Sequence, residues 1–256
     1  MNVFGPCQLR GSEATVEGNS RFETTRWSLV LAAGGDSEGA REALAALCQA
    51  YWLPLYAYVR RWGHAPEGAA DLTQAFFADL LSRNFLRGVD PARGRFRTFL
   101  LACCRNFLRK QHRRDAARGP TPISIDIDDA ERRCRVEPAD CLTPEQIYHR
   151  RWALSVLERS LDALRDDYGR SGKATLFEAL EPTLAGNPIP GGYAEVAGAL
   201  GMSEGAVQVA AHRLRRRYQE AIRGLIADTV DDPELVQEEL RDLFAALSRP
   251  KSRGTL

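Results

Sequence analysis

The chain has 256 residues, 44% of them hydrophobic, with 35 basic and 34 acidic side chains and a formal net charge of +1. That apolar content builds ordinary cores and excludes wholesale disorder, and the length accommodates two modest domains. No secretory signal and no membrane-length apolar run is present, so a cytoplasmic protein without membrane insertion is expected.

The near-zero net charge hides segregation. Arg105, Arg109, Lys110, Arg113, Arg114 and Arg118 form one basic cluster, and Arg213, Arg215, Arg216, Arg217 and Arg223 form another. Acid gathers at Asp126, Asp128, Asp129 and Glu131, and again between Asp228 and Asp242. Such a distribution fits two separate polyanion-facing surfaces. The six cysteines (Cys7, Cys48, Cys103, Cys104, Cys134 and Cys141) make no CxxC pair and no Cys/His spacing of the zinc type. Neither a disulfide framework nor a metal site is expected, nor any cofactor; several of these thiols sit in apolar helical patterns as small hydrophobes.

In chain order, residues 1–22 lack periodicity and are expected to be a flexible leader. Helical patterning begins near Thr25, with a short segment at 27–32 before Gly34-Gly35, a helix over 37–50, and another over 53–62 that ends at Gly63. Pro66 suits a first helical turn, and the helix it opens continues to Leu81. A loop over 83–95, punctuated by Gly88, Pro91 and Gly94, leads into a strong helix over 96–116. These elements define a first domain, 23–116. Residues 117–142 carry Gly119-Pro120, Pro122 and Pro138 and read as a linker, with Ile123-Ser124-Ile125 as a short strand or docking segment.

The second domain, 143–227, opens with Thr143-Pro144-Glu145, an N-cap followed by an N1 proline and an acid, and its first helix runs to about Asp167. A helix over 174–184 follows, then a turn over 186–192 and two further helices. Residues 228–256 hold an acidic amphipathic helix begun by Asp232-Pro233-Glu234, with Leu235, Leu240, Leu243, Phe244 and Leu247 as its apolar stripe. Either it completes the second domain's core or its charge masks the basic helix before it. Strand signals are nearly absent. The fold class is all-α: two helical domains joined by a flexible linker.

Within Tyr193-Ala194-Glu195-Val196-Ala197-Gly198-Ala199-Leu200-Gly201-Met202-Ser203, apolar residues at helical spacing lead to a glycine turn and a serine N-cap. On the helix that follows, Val207, Ala210, Ala211, Leu214 and Tyr218 share one side. Gly205, Gln208, Val209, His212, Arg213 and Arg216 share the other. One face packs while the other offers hydrogen-bond donors and charge, as in a helix-turn-helix whose second helix enters a major groove. The bland alternative is a helical hairpin with a solvated arginine face.

The helix over 96–116 has a similar division. Phe96, Phe99, Leu100, Cys103 and Phe107 form an apolar seam, whereas Thr98, Arg105, Arg109, His112 and Arg113 form a polar stripe suited to a nucleic-acid backbone. Arg93, Arg95 and Arg97 add charge before and within its first turn. In the preceding helix, Leu72, Phe76 and Leu80 face inward, while Asp71, Gln74 and Ala78 form another face that either meets solvent or receives a protein, with Phe77 beside it as an anchor.

Together these segments resemble a sigma factor of the sigma-70 family, extracytoplasmic-function group, over most of residues 25–227. The first-domain helix around Tyr51-Trp52-Leu53-Pro54-Leu55-Tyr56 resembles the opening of region 2, and Asp71-Leu72-Thr73-Gln74-Ala75-Phe76-Phe77 its clamp-docking helix. Gly94-Arg95-Phe96-Arg97-Thr98-Phe99-Leu100 with Arg105-Asn106-Phe107-Leu108 resembles the segment that reads and melts the −10 element. Residues 193–217 resemble region 4.2, which reads the −35 element. Leu176-Phe177-Glu178-Ala179-Leu180 and the acidic C-terminal helix point to a subgroup with a C-terminal extension.

The resemblance implies a promoter-specificity factor without enzymatic activity, partnered by core RNA polymerase (its beta-prime clamp and beta flap) and by promoter DNA. It also leaves room for an anti-sigma protein or other regulator. It assigns polymerase binding to Asp71, Gln74 and Phe77. Contact with the −10 element falls to Arg93, Arg95, Arg97, Thr98, Arg105, Asn106, Arg109 and Arg113. Contact with the −35 element falls to Ser203, Gly205, Gln208, Val209, His212, Arg213 and Arg216. Gln208, Val209 and Ala210 stand where many members carry basic or hydroxyl residues, so a different −35 preference is expected; Gln208 suits adenine and Val209 a thymine methyl. Residues 169–192 separate helices that ordinarily lie close. The rival function is a conventional helix-turn-helix regulator that binds DNA without polymerase.

Overall fold

A computed structural model describes residues 38–82, 95–115, 142–189, 191–230 and 232–248. The expected leader, the segment at 27–32, Arg93 and the linker 117–142 lie outside the described residues, apart from Leu142 at the linker's end. Eight α-helices are present among them: α1 (Glu38–Arg61), α2 (Pro66–Ser82), α3 (Phe96–Asp115), α4 (Pro144–Arg170), α5 (Ala174–Leu180), α6 (Gly192–Leu200), α7 (Glu204–Ala227) and α8 (Pro233–Leu247), with a 3-10 turn over Glu181–Ala185 between α5 and α6. β-pairing among the described residues is limited to an isolated antiparallel bridge between Arg95 and Val230. The all-α class holds.

The first two expected helices are one. α1 continues through Pro54, although an interior proline removes a backbone hydrogen bond and costs about 3 kcal/mol. Tyr51, Leu55, Tyr56, Tyr58 and Val59 on either side of it are all fully or nearly fully buried. Fully burying a Leu or Val side chain is worth about 1.5–3 kcal/mol, so Leu55 and Val59, with the ring area of the buried tyrosines, outweigh the lost bond. The 174–184 helix is shorter than expected, because Pro182 falls where the chain tightens into the 3-10 turn that ends at Gly186, φ 77°.

α4 starts where the capping pattern places it. The Thr143 hydroxyl accepts from the Gln146 amide at 3.2 Å, and the Gln146 side chain accepts from the Thr143 amide at 2.9 Å. This reciprocal pair satisfies two donors that a helix start otherwise leaves open.

Two hydrophobic clusters organise the molecule, and α4 belongs to both. Its first half contributes Tyr148, Trp152, Ala153 and Val156 to a core shared with α1, α2, α3, the end of α7 and Leu243 of α8. Its second half contributes Leu164 and Tyr168 to a core shared with Phe177, Leu180, Val196, Ala197, Val207, Ala211 and Leu214. The expected boundary between 23–116 and 143–227 therefore does not divide the packing. The larger core takes side chains from both sides of it.

Two seams differ from expectation. On α3 the buried line is Phe96, Leu100, Cys104 and Leu108, with Phe99 beside it and Cys103 and Phe107 only partly buried. A four-residue spacing rotates gradually around a 3.6-residue helix, so the contact line drifts away from Phe107. On α8 the buried side chains are Glu239 and Leu243, flanked by Val236, Leu240 and Leu247, while Phe244 is 63% exposed.

Candidate nucleic-acid interface

α6 ends at Gly201, whose φ of 63° lies in the left-handed region that glycine adopts without a Cβ penalty. Its amide and that of Met202 both donate to the Ala197 carbonyl. The extended Ser203 then caps α7, its hydroxyl accepting from the Ala206 amide at 3.2 Å. Buried Val196 and Ala197 on α6 pack with buried Val207, Ala211 and Leu214 on α7. The opposite side of α7 exposes Gly205, Gln208, Val209, His212, Arg213 and Arg216, with Ser203 exposed at its start. All seven residues assigned to the −35 element are therefore on the surface. Ala210, expected to pack, is only partly buried.

The contacts that restrain this face are weak. Arg216 pairs with Glu220 one turn on at 3.3 Å, and Gln208 donates to Glu204 at 3.3 Å. Exposed pairs of this kind contribute about 0–1 kcal/mol, so a stronger acceptor such as phosphate displaces them readily.

On α3, Thr98, Arg105, Asn106, Arg109, His112 and Arg113 are exposed. Helical geometry puts Thr98, Arg105, Arg109 and His112 in one stripe with Arg113 at its edge. Arg97 departs from the expected placement. It is 5% exposed, its guanidinium binds both carboxylate oxygens of Glu239 at 3.0 Å, and it also reaches Asp242 at 2.8 Å. Its charge lies over the Trp152 ring, 4.2 Å from the centroid. Arg95 pairs with Glu238, with Glu239 at 3.4 Å and with Asp242 at 3.1 Å. Both arginines thus face α8 rather than open solvent. Backbone contacts reinforce the junction: the Phe96 amide donates to Thr229, and the Tyr148 hydroxyl donates to the Arg97 carbonyl at 3.0 Å.

The electrostatics of this junction are coupled. Burial works against the Arg97 charge, but the Glu239 and Asp242 carboxylates outweigh it and raise the guanidinium pKa above its ordinary value. Burial and the adjacent Arg97 push His149 down to about 4. His149 is therefore neutral near pH 7, and its Nδ1 lies 2.7 Å from an Arg97 nitrogen, placed to accept from it.

The α8 carboxylates were not anticipated as partners of Arg95 and Arg97. One signal in the sequence could have found them. On the helical wheel Glu239 lies between Leu243 and Leu235, at the edge of the apolar arc made by Val236, Leu240 and Leu243, and a carboxylate on a packing face requires a cation. Of the two readings of α8, the packing one is the nearer: its apolar side joins the larger core beside Ile222 and Ile226 of α7, while Glu238, Glu239 and Asp242 meet the start of α3.

On α2, Gln74 is exposed and Asp71 half-buried. Phe77, expected as a surface anchor, is 8% exposed and lies 5.4 Å from Phe76, ring centre to ring centre. α2 packs on both α1 and α3, so its buried arc is wide enough to take both phenylalanines. Cys48 and Cys104 are buried, and burial pushes both thiols up to about 12, which leaves them protonated.

Among the described residues, no group of three or more His, Cys, Asp or Glu is placed to hold a metal ion, and no helix is long and apolar enough to cross a membrane. Comparison with known protein families, with curated proteins and with solved structures finds no match for this chain.

Proposed function

We propose that this chain is a promoter-specificity factor of the sigma type, which binds core RNA polymerase, recognises −35 and −10 elements and promotes strand opening. The observation that carries this reading is the face of α7: a glycine turn and a serine cap present Gln208, Val209, His212, Arg213 and Arg216 together on an exposed helix. Side chains of these kinds read base edges and grip phosphates in a major groove. A second basic stripe on α3 supports a two-point grip on DNA rather than a single recognition helix.

In this reading Thr98, Arg105, Asn106, Arg109 and Arg113 contact the −10 region, where an unpaired strand offers phosphates and exposed bases. Arg95 and Arg97 serve the junction with α8 instead. Asp71 and Gln74 are the polymerase-facing groups on α2, with Phe77 supporting the helix from inside. The factor works in the cytoplasm as two functional regions, one for each element, and supplies no catalytic group of its own.

Run-off transcription with purified core polymerase and promoter-containing DNA fragments tests the proposal. Discrete transcripts that depend on this protein are expected, and Arg109→Glu with Arg113→Glu should abolish open complexes while leaving polymerase binding intact. Polymerase-independent binding to a palindromic duplex, with no transcript, would instead identify a conventional helix-turn-helix regulator.

A further inference from the structure

Residues 169–192 do not form the recognition helix, yet they build a groove on each side of it. The first groove, about 700 Å³, lies between α7 and the turn joining α4 to α5; Ser171, Lys173 and Thr175 form one wall and Val209, Arg213 and Arg217 the other. The second, about 530 Å³, lies along the opposite flank, where Thr183, Asn187 and Tyr193 stand beside Arg215. The Arg215 guanidinium donates to the Tyr193 hydroxyl at 3.3 Å. No carboxylate is among the lining residues of either groove, although that of Glu195 lies against Gly191, beside the second. A third groove, next to the C-terminal half of α7, contains Glu178 and Glu181. Asp167, next to the lining residue Tyr168, pairs with Arg217 at 3.0 Å.

The helical repeat explains why the two grooves fall where they do. At 100° per residue, Gly205, His212 and Arg216 mark the centre of the exposed face, Arg213 and Arg217 lie to one side, and Arg215 lies to the other. A helix seated in a major groove about 12 Å wide has one phosphate strand on each side of it. Cations and hydroxyl or amide groups without carboxylates are the chemistry that phosphate selects.

We propose that residues 171–175 on one side of α7, and residues 183–189 with Gly192 and Tyr193 on the other, are two rails for the phosphate backbones of duplex DNA. Lys173 with Arg213 and Arg217 takes one strand, and Arg215 with Asn187 and Tyr193 takes the other. This rests on the DNA-binding reading of α7 and gives the segment that separates α4 from α6 its role in that binding. The rails carry affinity and orientation; the base edges are left to Gln208, Val209 and His212.

The test measures binding of a fluorescein-labelled, mixed-sequence duplex by anisotropy across a salt series. Loss of one phosphate contact lowers the slope of log affinity against log salt by about 0.9, equivalent to roughly eightfold weaker binding at 0.1 M salt relative to 1 M. Lys173→Ala and Arg215→Ala should each show that loss, and the double variant should show both. Arg241→Ala, an exposed cation on α8, should leave the slope unchanged. Lys173 and Arg215 are exposed, and unchanged melting curves would confirm that neither variant disturbs the fold. If His212→Ala with Arg216→Ala weakens binding while Lys173→Ala and Arg215→Ala do not, the rails are overturned and the recognition helix stands. If His212→Ala with Arg216→Ala has no effect, or the wild type does not bind at low salt, the DNA reading fails and the rails fail with it.

Discussion

Replacing Arg97 with methionine removes the charge at the centre of the α3–α8 junction while keeping an apolar stem of similar length. Arg97 is 5% and Glu239 1% exposed, and two bonds of 3.0 Å join them. The variant therefore leaves the buried Glu239 carboxylate with only its longer 3.4 Å contact to Arg95, and the loss should approach the roughly 3–5 kcal/mol of a broken buried pair. The loss of the cation over Trp152 belongs to the same penalty. Asp242 is 47% exposed, so water compensates it, and Asp242→Asn should cost no more than about 1 kcal/mol.

The diagnostic variant is the double one. Arg97→Met with Glu239→Met removes both charges from the apolar surroundings and should lie within about 1 kcal/mol of the wild type, or above it, because a buried ion pair exchanged for hydrophobic groups is often neutral or stabilising. Urea unfolding provides the measurement, with the midpoint shifting and the slope unchanged. The coupling energy between the two sites should exceed about 2 kcal/mol. A single Arg97→Met variant that loses less than about 1 kcal/mol would refute the reasoning. So would a double variant whose loss equals the sum of the singles.

Two further outcomes follow from the Ser203 cap and the half-buried His149 imidazole. His149 is held neutral, with its pKa lowered to about 4 from 6.5, so between those values the unfolded chain binds the additional proton. Stability from this group is complete above pH 6.5 and is lost as the pH falls toward 4. His149→Gln, which retains an acceptor for Arg97, should flatten that part of the wild-type profile; identical pH profiles for the two proteins would count against the assignment. Ser203→Ala removes the cap on α7 and should cost about 1 kcal/mol, measured by thermal unfolding, while Ser203→Gly should recover most of it.

The helix-turn-helix was legible in the sequence because each of its determinants is local. Gly201 and Ser203 fix the turn, and the apolar positions of α7 repeat at one period. The same holds for Thr143 and Pro144 at the start of α4. The continuous α1 was not legible, since Pro54 suggests a break and the packing that overrides it comes from residues distant in the chain. Phe77 illustrates the same limit: a wheel drawn for one packing face assigns it to the surface, but α2 packs on two neighbours. The Arg97–Glu239 pair joins positions 142 residues apart. Local periodicity carries no information about such a pairing, and only the anomaly of a glutamate at the edge of an apolar arc points to it.

The shared core bears directly on how the two regions proposed to contact DNA could act. α4 spans about 40 Å at 1.5 Å per residue, and its two halves anchor different clusters. Moving α3 away from α7 means withdrawing Tyr148, Trp152 and Val156 of α4, Ile222 and Ile226 of α7 and Leu243 of α8 from the larger core. Six buried side chains at about 1.5–3 kcal/mol each amount to roughly 9–18 kcal/mol. Fewer than about one molecule in ten thousand would open unaided. A ligand shifts such an equilibrium only by the difference in its affinity for the two states. On the proposed reading, then, polymerase and promoter together must bind the open form more tightly by at least that margin, or the two elements must be read from this single body. The Arg97–Glu239 double variant probes the difference. It removes the buried ion pair without exposing the apolar part, while Arg95 keeps Glu238 and Asp242, so increased promoter opening by that variant would assign the restraint to the buried pair, and unchanged opening would assign it to the packing and the remaining surface pairs.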